Sequence, residues 1–360
     1  VFSTIISAHE KFVILKLLAM IRSVATPAIM IPVLYYGYKS VAMVSVTVIL
    51  SLLVDFCYYL YCRKILIIKF CFNNFEKGIL ASLFAYTFFI AINGVFDQIT
   101  WSVDKCILAR FKGTAEVAVY SVAFSLYMFY QQFSTSISGV FTPRLHTIVN
   151  NKSLSVEQRN TELTELFIRI GRIQFYVCAL VASGFLFFGK QFLVFWVGNG
   201  YEDSYYITLM FMFAASIALI QNVGIEIQRA MNNHQFRSIV LFIDSLLNLA
   251  VSIYLCQIYG AIGCAIGTVV VLLFGPGLVL NIFYHKKCGI NIILFWKNIF
   301  RISLGLIVPV GLMVLAIRYI QFNTFTNFIC GIVLYTFVYS LSMWYCSLNS
   351  YEKGLVLMKK

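Results

Sequence analysis

Five ionisable side chains, Arg22, Asp55, Asp97, Glu226 and Asp244, stand inside apolar stretches of the chain. At the centre of a membrane helix each costs about 2.5–3.5 kcal/mol even on a lenient scale. Turned toward lipid, the five together cost on the order of 15 kcal/mol, more than the net stability of a typical domain. They must therefore face one another, a hydrated cavity, or both.

Helical spacing groups these charges with other polar residues. Asn93, Asp97, Thr100, Trp101 and Asp104 share one side of a 3.6-residue helix, with Lys105 at its border and Phe88, Ala91, Val95 and Ile99 opposite. Carboxylates accept hydroxyl hydrogen bonds and Trp offers a face to a sugar ring, so the stripe suits a hydroxylated ligand. The plainer alternative keeps Asp104 and Lys105 at the interface and pairs Asp97 with a residue of another lobe. Arg22, in register with Thr26, can hold a phosphate in a bidentate fork, or pair with Asp55 or Asp97. Glu165, Arg169, Arg172 and Tyr176 line a further helix face. Arg169 and Arg172, joined by Arg144 after Pro143, could receive a diphosphate. Glu165–Arg169 is equally an i,i+4 pair, and arginines at this depth can snorkel. Two last stripes are Asn222, Glu226, Arg229, Asn233 and Arg237, Asp244, Asn248, Ser252. Glu226 has Arg229 three residues on, whereas Asp244 lacks a local partner. Asp97, Glu226 and Asp244 are the candidates for carrying a coupling ion or proton.

The elements that position these residues follow from composition. Of 360 residues, 61% are hydrophobic and 11% charged, against about 25% charged in a soluble domain. Such a chain is an all-α polytopic membrane protein. Apolar stretches of roughly 20 residues, enough to cross the bilayer, occur at about 12–34, 40–61, 78–103, 115–141, 165–188, 204–228, 237–258, 261–284, 298–320 and 325–347. Ten transmembrane helices are expected, kinked where Pro27, Pro32 and Gly275-Pro276-Gly277 interrupt them. With residues 8–11 in the cytoplasm, 20 Lys and Arg fall on that side and six on the other, and the C-terminus is cytoplasmic. The net charge of +13 is thus topology, with anionic lipid as its partner, and no basic stripe suited to nucleic acid exists.

An internal repeat is visible. Tyr36-Gly37 and Ala42 align with Tyr259-Gly260 and Ala265, and Tyr61-Cys62-Arg63-Lys64 with Tyr284-His285-Lys286-Lys287, at one offset. The copies run in the same direction, as parallel repeats about an axis along the membrane normal. The division expected is 1–74 as the remainder of a first six-helix bundle, 75–290 as a second bundle, and 291–360 as two additional helices. About four further spans, roughly 150 residues, are expected ahead of Val1. The run Gly260-Ala261-Ile262-Gly263-Cys264-Ala265-Ile266-Gly267 reads as a helix-packing device. The ten Cys show no C-x-x-C pair or zinc spacing, and read as free thiols buried in lipid; no metal or other cofactor is expected. Nucleotide-binding and nucleophile-elbow motifs are absent.

The phrases Ile6-Ser7-Ala8-His9-Glu10-Lys11-Phe12, Asp97-Gln98-Ile99-Thr100-Trp101-Ser102-Val103-Asp104-Lys105, Val140-Phe141-Thr142-Pro143-Arg144 and Gly224-Ile225-Glu226-Ile227-Gln228-Arg229-Ala230 resemble the oligosaccharide (O-antigen and capsular polysaccharide) flippase branch of the MOP superfamily. The resemblance runs along the whole chain, from the family's fourth helix onward. It implies two rocking bundles of the MOP/MATE-like kind in the bacterial inner membrane. The cargo it implies is a polyprenyl-pyrophosphate-linked glycan, with membrane lipids, a polysaccharide polymerase and a chain-length regulator as partners. Rival readings are a multidrug/cation antiporter or a lipid II flippase of the same superfamily. An embedded enzyme is disfavoured, because no external loop exceeds about 15 residues on these spans.

Overall fold

The computed structural model describes residues 2–9, 11–38, 40–66, 77–151, 153–231, 233–319 and 324–356; before Trp101 only some side chains of 77–100 are described. The chain divides into two compact units, Val1–Ser82 and Leu83–Lys360.

The first unit holds α1 (Phe2–Ala8), α2 (Phe12–Tyr35) and α3 (Ser40–Lys64). Its small core gathers Ile6, Tyr58 and Cys62. The Tyr58 hydroxyl reaches the Leu15 carbonyl at 3.4 Å, tying α3 to α2. Most large apolar residues of α2 and α3 are exposed, Val24 and Val41 among them. That is normal for helices whose outer solvent is hydrocarbon rather than water.

The second unit opens with α4 (Lys77–Phe111), whose first residues still belong to the preceding unit, and continues with α5 (Thr114–Asn150) and α6 (Val156–Val197). Ser155 and Gln158 form a reciprocal capping box that starts α6. Next come α7 (Glu202–Leu219), α8 (Val223–Ala230) and α9 (His234–Phe274), then a π-helical turn (Gly275–Val279) and α10 (Leu280–Lys286). The chain ends with α11 (Ile292–Ser303), a 3-10 turn, α12 (Ile307–Ala316), α13 (Phe325–Cys346) and α14 (Ser350–Val356).

Helix α9 is two helices meeting at Gly260, whose φ of 59° and ψ of −133° no side-chain-bearing residue adopts readily. The halves run back along each other: Gly263 abuts Leu255, Gly267 abuts Ser252 and Gly275 abuts Asp244. Glu116 Oε2 of α5 accepts the Ala261 amide at 2.9 Å and so caps the returning half. Gly37, the counterpart of Gly260 in the repeat, also has positive φ (78°) and also separates two helices, α2 and α3.

Among the described residues, seven stretches are long and apolar enough to span a membrane: Val13–Tyr35, Val41–Lys64, Val156–Val197, Glu202–Ala230, Gln235–Lys286, Ile292–Ala316 and Phe325–Cys346. Because Gln235–Lys286 doubles back at Gly260, it covers two expected spans. Helices α4 and α5 cover the other two. The protein is an all-α polytopic membrane protein. One span departs from expectation, since 204–228 is not continuous but breaks between α7 and α8.

Three apolar clusters hold the second unit together. One surrounds Phe167, Tyr284 and Phe295, one surrounds Tyr120, Tyr130 and Phe211, and a smaller one joins Phe188 of α6 to Met313, Phe328 and Tyr335. Helices α12 and α13 thus pack on α6.

Candidate functional site

Two backbone irregularities create the site. At Ile220–Asn222 the ladder between α7 and α8 gives way to i→i+3 bonds, such as Gly224 N–H to Gln221 O at 2.8 Å. Helix α5 braces the break with two side-chain bonds: Ser134 Oγ donates to Leu219 O at 2.6 Å and Asn222 Nδ2 to Ser138 Oγ at 2.9 Å. Gly171 of α6 admits the Ile220 carbonyl where a Cβ would collide with it. The second irregularity is the π turn, where Pro276 cannot donate a backbone hydrogen bond. There Asn281 Nδ2 donates to Gly277 O at 2.6 Å, and Trp296 Nε1 holds Asn281 Oδ1 at 3.0 Å.

Both irregularities border one cavity of about 110 Å³. Its polar wall carries Gln131, Gln221, Asn222, Arg237 and Asp244, and its aromatic wall Trp101, Tyr127 and Tyr284. Asp244 is 2% exposed and neither carboxylate oxygen has a hydrogen-bond partner. Gln221 Oε1 is likewise buried without a partner. A Cβ at Gly275 would sit on the Asp244 carboxylate, so glycine there is what lets a charged side chain lie between the halves of α9. The small-residue run and its continuation therefore make room for a polar stripe as well as for backbone packing.

The expected site residues separate into distinct places. Trp101 reaches the cavity, but its ring is stacked on Tyr127 at 4.6 Å and meets the Phe211 edge at 5.8 Å. It is a wall, with one face already covered. Asp104 does not line the cavity. It is fully buried behind it, where Oδ2 accepts from Tyr120 Oη and Thr268 Oγ1, both at 2.6 Å, while Oδ1 has no partner. Asn248 and Ser252 adjoin this cluster, Ser252 Oγ donating to Asn248 Oδ1 at 2.6 Å. An oxygen-rich shell with a single carboxylate can accommodate a proton or a monovalent cation. Among the described residues no group of three or more His, Cys, Asp or Glu could hold a metal ion. Lys105 lies 4.2 Å over the Phe124 ring.

Arg172 also stands apart from the cavity. Its Nε and Nη2 grip Glu352 of α14 at 2.6 and 2.8 Å, and Nη2 also reaches Ser347 O at 2.9 Å. Burial pushes the Glu352 carboxyl up, but the Arg172 fork, the Asn349 amide and Tyr176 outweigh it and hold the group below its ordinary value. Arg169 is half-buried one turn earlier on α6, and Arg144 is exposed on α5. Glu226 is paired with Arg229 at 2.6 Å. Within the first unit, Arg22 and Asp55 are exposed. Asn93 and Asp97 lie on α4, but their side chains fall outside the described residues.

Sequence reasoning missed Gln221, Tyr127 and Gln131. The available signal was the polar pair Gln221-Asn222 interrupting an apolar span, a place where a membrane helix breaks at little cost.

Residues 1–149 match the family described as "Polysaccharide biosynthesis protein". No curated protein and no solved structure matches the chain. The matched stretch includes Trp101, Asp104, Tyr127, Gln131 and Arg144; Gln221, Arg237 and Asp244 lie beyond it. A likeness to polysaccharide-biosynthesis proteins, in a chain built of membrane-spanning helices, supports a flippase or transporter role in making polysaccharide.

Proposed function

We propose that this protein is a flippase moving a polyprenyl-pyrophosphate-linked oligosaccharide across the bacterial inner membrane by alternating access, and that it is not an enzyme. The observation that carries the reading is the family match over 1–149 in a multi-pass helical chain that buries unpartnered polar groups at a doubly broken cavity. Moving a diphosphate and a glycan through hydrocarbon is opposed mainly by desolvation of charge and hydroxyls, and a hydrated cavity lined by fixed polar groups lowers that barrier. The prenyl tail stays in the bilayer. The finer assignment to O-antigen or capsular glycans rests on the motif resemblance.

In this reading Arg22, Arg144 and Arg169 offset the diphosphate charge. The sealed Asp104 cluster carries the coupling ion. The test is deletion of the gene in its host, followed by labelling of lipid-linked glycan on each face of the inner membrane. A flippase predicts loss of surface polysaccharide with lipid-linked glycan accumulating on the cytoplasmic face. Loss of the lipid-linked glycan itself would show a synthetic enzyme and overturn the proposal. Arg22→Ala is expected to abolish surface glycan at unchanged protein level; full complementation by that variant would remove Arg22 from the path.

A further inference from the structure

The cavity at the α7–α8 break and the π turn gathers several unmade hydrogen bonds at one place. Three acceptor oxygens, Gln221 Oε1 and both carboxylate oxygens of Asp244, are buried in side chains 2% exposed and have no hydrogen-bond partner. Buried polar groups in membranes are seldom left so, because each costs several kcal/mol when unsatisfied. Both residues line the same cavity as Arg237. A ligand completing this wall must bring several donors to one end and tolerate, or use, a guanidinium at the other.

Arg237 and Asp244 are seven residues apart on α9, about 10 Å along the helix axis. A pyranosyl phosphate presents an anion at one end and a set of hydroxyl or amide N–H donors at the other, and bridges such a span. A bare cation at Asp244 would instead sit in the field of Arg237. The volume of about 110 Å³ also limits the occupant. A single water needs about 10–15 Å³ on this measure, so the cavity holds several waters or one sugar ring, not a disaccharide. Because Trp101 is stacked on Tyr127, the aromatic wall shapes the cavity while the discrimination falls to the acceptors.

We propose that this cavity is the subsite for the first sugar of the lipid-linked glycan and its glycosyl phosphate: Arg237 meets the phosphate, and Asp244 and Gln221 accept hydrogen bonds from the sugar. The assignment rests on the flippase reading and makes Asp244 and Gln221 the residues that set sugar selectivity. It follows that Arg237 serves any prenyl pyrophosphate, whereas Asp244 and Gln221 serve only those that carry the right ring.

The test uses the full chain in lipid nanodiscs. Its probes are geranyl pyrophosphate and geranyl-pyrophosphoryl glucose, galactose and their 2-acetamido counterparts. At least one sugar-bearing probe is expected to bind tenfold or more tightly than geranyl pyrophosphate. Asp244→Ala and Gln221→Leu should bring that probe down to the sugar-free affinity, and Arg237→Gln should weaken both classes at least tenfold. A diazirine on C6 of the preferred sugar should label residues 237–248 in the unmodified protein, a readout that needs no variant to fold. Equal affinity for all sugar-bearing and sugar-free probes, labelling confined elsewhere, or sodium ion alone protecting 237–248 from the label overturns the subsite. The first of those results leaves the flippase reading standing. That reading is decided by the deletion test instead: it falls if deletion removes the lipid-linked glycan itself or leaves surface glycan intact.

Discussion

Removing Glu352 should damage this protein more than its place eight residues from the end of the chain suggests. Arg172 and Glu352 are 180 residues apart and form a bidentate pair whose side chains are 9% and 3% exposed. Four donors close on the carboxylate. Oε1 takes Arg172 Nε, and Oε2 takes Arg172 Nη2 and the Asn349 amide at 2.9 Å with the Tyr176 hydroxyl at 3.2 Å. Truncating one partner of a buried pair costs about 3–5 kcal/mol, because the other charge is stranded. Arg172 would keep its bonds to Ser347 O and Tyr176, which places the expected loss for Glu352→Ala at the lower end, about 3 kcal/mol. That is roughly a hundredfold in the folding equilibrium and a fall of roughly 5–10 °C in Tm for a unit of this size.

The assay is thermal unfolding of the purified protein in detergent, followed by loss of the monodisperse peak. Replacing both members, Arg172→Met with Glu352→Met, should recover most of the loss, since no charge is then left buried. The folded-state value of Glu352 is depressed. Its contribution is therefore complete at neutral pH and disappears as pH falls below the ordinary glutamate value, about 4.3, toward the folded one. A Tm for Glu352→Ala within 1 °C of the parent, or a double variant as unstable as the single one, would refute the reasoning.

Further outcomes are expected elsewhere in the second unit. Gly275→Ala drives a methyl onto the Asp244 carboxylate and should cost about 1–3 kcal/mol, visible as a lower Tm and relieved when Asp244→Ala is added. Tyr120→Phe removes one of two bonds to Asp104 and should cost about 1.5–3 kcal/mol by the same assay. Glu116→Ala uncaps the returning half of α9, with a loss of about 1 kcal/mol and faster hydrogen exchange at the Ala261 amide.

How much could be read without coordinates depended on how local the governing physics is. The spans were legible because hydrocarbon imposes length and apolarity residue by residue, and each expected span falls on one or more helices. Asp244 stood out by the same logic: it had no partner within a helical turn, and the fold supplies it no hydrogen bond. The Gly275-Pro276-Gly277 kink was legible from proline chemistry. The α7–α8 break was not, because its stability depends on Ser134 and Ser138 of α5, some eighty-five residues earlier. Trp101 promised an open face that Tyr127 covers. Arg172 promised an anion site, and Glu352 fills it.

The amino-acid sequence by itself determined that this is a membrane-spanning helical protein and which charged residues needed protection from lipid. Those properties follow from transfer energies that each segment meets alone. Tertiary structure alone decided which of the charges are spent on one another and which are held open in a cavity. Partners such as Arg172 and Glu352, or Asp104 and Thr268, are distant in the chain and meet only when their helices pack.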